Sequence, residues 1–307
     1  MPIIIQPFCH LINLSFETEY VPKQLKIAKV LPVFKSGDHD DYNNYPPISL
    51  LSSISKLFEK FVAKQMMSFI NHRDLLYIHQ YGFRKGHNTS HPVLHFLDKI
   101  YHNLNQENHE NTLGIFIDLK KAFDTVDHQI LLKKLEFYGF RNVANNWFKN
   151  YLTGRTQYVN INGVNSSSRD MVCGVPQGSV LGPLLFLIFI NDLPSSLDFL
   201  TLLFADDTTL QMSGSNLTEL YAKANVELSK AQVWFQANRL TLNVKKTKYI
   251  LFRTNTMSVD FSNLNLKLDN KKIDRIGNNC SETSFKFVGH HLDENLSWDA
   301  HINHVLS

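Results

Sequence analysis

Apolar residues recur at helical spacing along several stretches of the chain. From Ser52 to Asn71 a capping serine precedes Leu57, Phe61, Met66 and Phe69-Ile70, the pattern of an amphipathic helix. Asp127 is placed to cap a second helix through Ile130, Leu131, Leu135 and Tyr138, which Gly139 closes. Val143–Leu152 predicts another helix ended by Gly154, Leu181–Asp192 a buried one, and Leu217–Arg239 a long amphipathic one. Alternation of the strand type marks Gln157–Asn162 and Arg169–Cys173 around a Gly163/Asn165 turn. Thr247–Phe252, Leu264–Leu268 and Phe285–Val288 read as further strands, whereas residues 254–283 as a whole are Asn- and Ser-rich with weak periodicity and read as a loop or insert. No internal repeat is present. The sum is an α+β chain, with helices backing an antiparallel sheet.

Two apolar runs end in acids. Thr201–Leu203 and Phe204-Ala205 stop at Asp206-Asp207, and the run resumes through Thr208-Thr209-Leu210. Carboxylates in a strand-like segment are costly unless a turn exposes them or a cation neutralises them. The pair therefore predicts either a solvated hairpin or a metal clamp at a hairpin tip. Far upstream, Leu113–Ile117 is a short β-rich run that ends in Asp118. A carboxylate leaving a buried strand, together with an acidic pair on a hairpin, is what two-metal nucleotidyl transfer requires. Only the fold could bring them together.

A third segment, Gly174–Pro183, has three glycines and two prolines in ten residues, with Gln177 at its centre. Such a backbone-dominated loop can approach a flat ligand closely. Composition narrows the field further. The chain has 307 residues, 43% of them hydrophobic, enough for one large domain or two intimate lobes. Net charge is only +3, but lysines cluster at 23–35, 120–121, 133–134 and 245–248, as a phosphate-lined groove or a solvated face would have them. Three scattered cysteines without a CxxC pair speak against a disulfide scaffold or structural zinc and for a reducing, intracellular compartment, nuclear or cytoplasmic. The apolar patch Ile3–Ile5 lacks the features of a secretory leader, and the longest apolar stretch, Val180–Ile190, is too short to cross a membrane.

The motifs IDLKKAFDTVD (117–127), GVPQGSVLGP (174–183) and FADDTTL (204–210), in this order, resemble the catalytic signatures of reverse transcriptases. Their spelling is most similar to non-LTR, LINE-like retrotransposons of the jockey type. The resemblance extends through VLPVFKSGDHDDYNNYPPISLL (30–51), QYGFRKGHNT (80–89), YLTGRTQYV (151–159), LNVKKTKYILF (242–252) and FKFVGHHLDENLSW (285–298). It implies a polymerase right hand with palm and fingers over residues 16–292. An N-terminal extension over 1–15 and the start of a thumb over 293–307 are expected, with most of the thumb and any endonuclease of the polyprotein lying elsewhere. An RNA-directed DNA polymerase is implied, extending a DNA primer on an RNA template from deoxynucleoside triphosphates with two Mg²⁺ or Mn²⁺ ions.

Residue by residue, the resemblance makes Asp118, Asp206 and Asp207 the metal-binding carboxylates and Lys246 the donor of a proton to departing pyrophosphate. Phe123 matches an aromatic steric gate against the ribose 2′-hydroxyl, Gln177 and Gly178 a contact to the incoming nucleotide, and Lys35 a lysine that neutralises its triphosphate. Arg84 is expected near the template, with a structural arginine as the alternative, and Gly289 lies in the segment resembling the primer grip. One departure stands out: Pro46 occupies a position where the family commonly has arginine, so an impaired, nucleic-acid-binding remnant is the rival reading. An intron maturase is a more distant one. His87, His91 and His95 have helical spacing, but Pro92 falls between them and no cysteine joins them, which favours surface or core histidines over zinc. Asn165-Ser166-Ser167 is a glycosylation sequon without consequence inside a cell.

Overall fold

In the computed structural model of the protein, which describes residues 2–35, 37–45, 47–106, 110–254 and 259–307, the expected helix starts are capped by side chains. Ser52 accepts the Ser55 amide, Asp127 accepts those of Gln129 and Ile130, and Asn216 accepts those of Thr218 and Glu219. The helices are α1 (Pro2–Glu17), α2 (Ser53–His72), α3 (Ser90–Leu104), α4 (His128–Phe137), α5 (Val143–Leu152), α6 (Leu181–Ile190), α7 (Leu217–Ala237) and α8 (Asp299–Leu306). The strands begin with β1 (Ile27–Pro32), β2 (Pro47–Leu50), β3 (Asn111–Ile117), β4 (Thr156–Ile161), β5 (Val164–Asn165), β6 (Arg169–Asp170) and β7 (Leu200–Phe204). They continue with β8 (Asp207–Gly214), β9 (Lys248–Phe252), β10 (Lys267–Leu268), β11 (Lys271–Lys272), β12 (Asp274–Ile276), β13 (Ser284–Phe287) and β14 (His290–Asp293). The fold is α+β. Two compact units divide the chain: Met1–Leu76 with Phe123–Phe189, and Tyr77–Ala122 with Ile190–Ser307.

In the first unit, β1 pairs antiparallel with β2 and parallel with β4, and β4 carries β5 and β6. Trp147 of α5 is buried, its ring against Phe16 of α1 and Phe58 of α2, and its indole N–H donates to Ser15 at 3.0 Å. The extension expected at the N-terminus is thus a helix packed by its Ile12–Ser15–Phe16 face. Helix α6 is apolar all round, as a helix sealed in a core must be. Its first amides are satisfied by Glu59 of α2, which is 1% exposed. Glu59 Oε2 accepts from Val180 N at 2.6 Å and from Leu181 N, while Oε1 accepts from the Tyr151 hydroxyl at 3.0 Å. Burial first, and then the charge of Glu59, pushes the Tyr151 phenol well up, so it stays a donor.

The second unit is built on a sheet of order β12-β9-β3-β8-β7. Every residue of β3 is buried, so both its faces are covered. Helix α3 packs against β3 and β7, and α7 packs against β8. Phe96 of α3 meets Phe116, Phe252 and Phe287 at centroid distances of 5.2–5.8 Å, which ties the β13–β14 hairpin into the same core. Beside this core, the buried carboxylate of Glu294 joins Arg253 at 3.4 Å and Arg275 at 2.8 Å.

Several elements depart from the sequence reading. Residues 90–104 form α3 because Pro92 sits in the first helical turn, where its missing N–H has no intrahelical partner to lose. The region 254–283 contributes β12, which pairs parallel with β9 and buries Ile276. The strands expected at Arg169–Cys173 and Leu264–Leu268 shorten to Arg169–Asp170 and Lys267–Leu268. Strands β1 and β2 and helix α8 are added. No helix among the described residues is long and apolar enough to cross a membrane.

Removing the Glu59 carboxylate leaves the α6 amides and the Tyr151 hydroxyl buried without their acceptor. Bonds to a charged group are worth about 1.5–3 kcal/mol each, so Glu59→Ala is expected to destabilise by roughly 3 kcal/mol or more and Glu59→Gln by less. Urea denaturation of the two variants checks the order.

Candidate active site

Antiparallel pairing of β3 with β8 runs from Asn111↔Gly214 to Ile117↔Thr208. Extending that register by one position sets Asp118 opposite Asp207. Facing residues of an antiparallel pair have Cβ atoms about 4.5–5.5 Å apart, and like charges there repel. On the other side of β8, the pair Phe204↔Asp207 closes the β7–β8 hairpin and leaves Ala205-Asp206 as its two-residue turn. The expected acidic hairpin tip is therefore present, with Asp206 in the turn and Asp207 opening β8.

Asp118 is held from its other flank. Asn243 donates its side-chain N–H to Asp118 Oδ2 at 2.7 Å and its backbone N–H to Asp118 O at 2.8 Å. Thr247 Oγ1 accepts the Asp118 amide at 3.2 Å and donates to Asn243 O at 3.1 Å. The Asn243–Thr247 turn that makes these bonds also carries Lys245 and Lys246. A cavity of about 450 Å³ is lined by Asp118, Asp207, Lys245, Lys246, Lys286 and Val288, among others. Asp206 is not part of that lining. Lys248 also borders the cavity; burial lowers its pKa, but Asp274 at 2.9 Å and Glu282 together reverse this, so its ammonium is favoured. Val288-Gly289 is the tip of the β13–β14 hairpin, so Gly289 stands beside a residue of this cavity.

Two facing carboxylates ringed by lysines suit hard divalent cations and phosphates. Among the described residues no three His, Cys, Asp or Glu side chains converge as a metal site. A cation held by one or two carboxylates, with substrate phosphate and water completing its shell, needs no third side chain. Asp118 and Asp207 fit that demand.

The remaining expected residues lie as follows. Arg84, in the same unit as the acids, directs its guanidinium to the backbone oxygens of Tyr77 and Gln80 at 3.3 and 3.2 Å, a structural use. Phe123, Gln177, Gly178 and Lys35 belong to the other unit. There Gln177 donates to Asp124 Oδ1 at 2.9 Å, its carbonyl accepts from Ser49 at 2.8 Å, and Val175 donates to Phe123 O at 2.8 Å. The Phe123 ring lies 4.6 Å from that of Phe186, and the residue is half-buried. Gly178 has φ +108°, and a Cβ there would come within 2.5 Å of Ser49 O, so glycine is required. Lys35 is exposed in the loop after β1. Pro46 lies outside the described residues. His91 and His95 sit on α3 and, with His87, surround Tyr81, whose hydroxyl meets His95 Nδ1 at 2.7 Å. Burial lowers the pKa of His87 and His95, which favours the neutral ring at both.

Residues 35–292 match the reverse transcriptase (RNA-dependent DNA polymerase) family. The chain belongs to the reverse transcriptase family. It is 31% identical over 305 residues to a probable RNA-directed DNA polymerase from transposon BS of Drosophila melanogaster, covering 94% of this chain and 32% of the relative. The polymerase from mobile element jockey of the same fly is 28% identical, with 95% and 32% covered. The chain thus spans about a third of the length of these relatives. Its fold is similar to apo telomerase of Candida tropicalis truncated from its C-terminal domain, with TM-score 0.56 and 15% identity over 91% of this chain and 55% of that one. Telomerase of Candida albicans in complex with a fragment of telomeric RNA gives TM-score 0.54 at 14% identity, over 92% and 47%. Reverse transcriptases generally use divalent metal ions.

Sequence reasoning about this reverse transcriptase chain passed over Asn243 and Thr247. They lie inside the LNVKKTKYILF motif beside its lysines, and a polar residue in a turn has no periodicity to betray its partner. Asn243→Ala is expected to destabilise the fold by about 1.5–3 kcal/mol, by releasing the bond to Asp118 Oδ2. Asn243→Asp should lose more, because it sets another negative charge against Asp118. Urea denaturation of the two variants measures both.

Proposed function

We propose that this chain catalyses RNA-templated DNA synthesis, with Asp118, Asp206 and Asp207 serving two Mg²⁺ or Mn²⁺ ions. The observation that carries this reading is the register placing Asp118 opposite Asp207 in a lysine-lined cavity. The ions, when bound, activate the primer 3′-hydroxyl and neutralise charge on the transferring phosphate. The chain's own residues do the rest. Asn243 and Thr247 hold Asp118 at the strand exit, and the β7–β8 turn holds the acidic pair. Lys245, Lys246 and Lys286 attract the triphosphate, and Lys246 donates a proton to the departing pyrophosphate. The Val288-Gly289 tip meets the primer strand.

In the unit that contains α6, we assign Phe123 to the sugar of the incoming nucleotide. Gln177 and Gly178 are assigned to contact with that nucleotide, and Lys35 to neutralising its triphosphate. Arg84 braces the fingers segment near the template. RNA template, DNA primer and deoxynucleoside triphosphates are the partners. The three cysteines are free, which accords with a reducing nuclear or cytoplasmic location.

Primer extension on poly(rA)/oligo(dT) tests the reading. Wild-type protein is expected to extend in Mg²⁺ or Mn²⁺, while Asp206→Asn abolishes extension with an unchanged melting temperature. Retained extension in that variant would reject the metal role, and a collapsed melt would reassign Asp206 to the fold. A separate expectation concerns the sugar: Phe123→Val should raise ribonucleotide relative to deoxynucleotide incorporation by tenfold or more. An unchanged efficiency ratio would make Phe123 a core aromatic only.

A further inference from the structure

Alongside the end of β7 runs a short segment, His79–Gly82, bonded to it through the backbone. Leu203 donates its amide to His79 O at 3.0 Å, Tyr81 donates to Leu203 O at 2.8 Å, and Gln80 bridges Leu203 in parallel register. The next contact reaches the turn itself. Gln80 is 1% exposed, and its Oε1 accepts both the Gly82 amide at 2.8 Å and the Ala205 amide at 3.3 Å. Those two N–H donors fix which end of the side-chain amide carries the oxygen. Ala205, which immediately precedes the two acids, has φ 58°. A left-handed conformation is unfavourable for an L-residue and persists only where its surroundings impose it.

Two further features indicate that this contact is specific. A Cβ at Gly82 would stand 2.2 Å from Ala205 N and 2.9 Å from its Cα, so only glycine allows the segment to lie this close to the turn. The other end of the Gln80 side chain, Nε2, is buried without a hydrogen-bond partner. Burying an unpaired amide is unfavourable, and an apolar side chain of the same length would avoid it. The glutamine is therefore kept for its oxygen. Arg84 steadies the same segment by donating to Gln80 O and Tyr77 O.

We propose that Gln80 is a positioning residue for the catalytic carboxylates: its Oε1, shared by the Gly82 and Ala205 amides, holds Ala205 left-handed and so sets where Asp206 and Asp207 stand. The inference rests on the polymerase reading for its consequence, though not for its geometry. Gln80 touches neither substrate nor ion, and it acts through the turn.

Gln80→Met keeps the length of the side chain and removes the acceptor. Hydrogen–deuterium exchange of [¹⁵N]Ala-labelled protein is expected to show the Ala205 amide exchanging at least about tenfold faster, with alanine amides elsewhere unchanged. Mn²⁺ binding, followed by electron paramagnetic resonance, should weaken several-fold. In single-nucleotide addition, kcat should fall about tenfold with KM for the nucleotide little changed. Gln80→Glu, which keeps an oxygen at the same place, should restore the Ala205 protection. Unchanged Ala205 exchange and Mn²⁺ affinity in Gln80→Met would overturn the proposal, as would a lowered melting temperature with kcat per folded molecule intact. If Gln80→Met does not melt cooperatively, Gln80→Asn, which withdraws the amide by one methylene, must show the same faster exchange and weaker Mn²⁺ binding, and its failure to do so overturns the proposal equally. Should wild-type protein not extend a primer at all, the polymerase reading fails, while the exchange arm still decides the role of Gln80.

Discussion

Asp118 follows the last paired residue of β3, Ile117 opposite Thr208, and Asp207 opens β8 in the same cavity, so two carboxylates repel at the end of the ladder that presents them. The register that creates this repulsion is not free to slip. A shift by one residue would turn every side chain of β3 to the opposite face, against packing partners it does not fit, because the whole strand is buried. Burial thus enforces an electrostatic arrangement that burial alone would never select. What makes it tolerable lies around it: Asn243 bonds one carboxylate oxygen, and lysines from the Asn243–Thr247 turn and the β13 strand line the same cavity.

Support for the acids comes from both sides of the sheet. On one flank, the Asn243–Thr247 turn grips Asp118 through its side chain, its amide and its carbonyl. On the other, the His79–Gly82 segment lies against the end of β7 and the turn after it, and accepts the Leu203 and Ala205 amides. A catalytic group must be held to a fraction of an ångström, and hydrogen bonds to backbone within a packed frame achieve this better than side-chain contacts in solvent. In the unit that contains α6, a different device serves the Gln177 loop. Glu59, buried and fully engaged, seats the first turn of α6 directly after that loop.

Membership in the reverse transcriptase family is consistent with this division of labour. Identity to the transposon BS polymerase is 31%, while the likeness in fold to telomerase persists at 15%.

Much of this was legible from residue order. Helix starts at Ser52 and Asp127 announce themselves because a cap and a 3.6-residue period are local properties, while the Asn216 cap came only with the structure. So is the hairpin tip, since two acids interrupting an apolar run leave few alternatives. Other features were hidden by locality itself. Pro92 looked like an interruption because its place in the first turn of α3 depends on where that helix begins. Strand β12 lies in an Asn- and Ser-rich region and became a strand only through its pairing with β9. Asn243, Thr247 and Gln80 carry no periodic signal, and each gains its role from a residue more than a hundred positions away in sequence. The amino-acid order alone determined which residues could carry the chemistry and which faces must be buried. Tertiary structure decided which carboxylates stand opposite one another and what holds them there, because register and hydrogen-bond partnership are properties of two strands brought together and of neither strand alone.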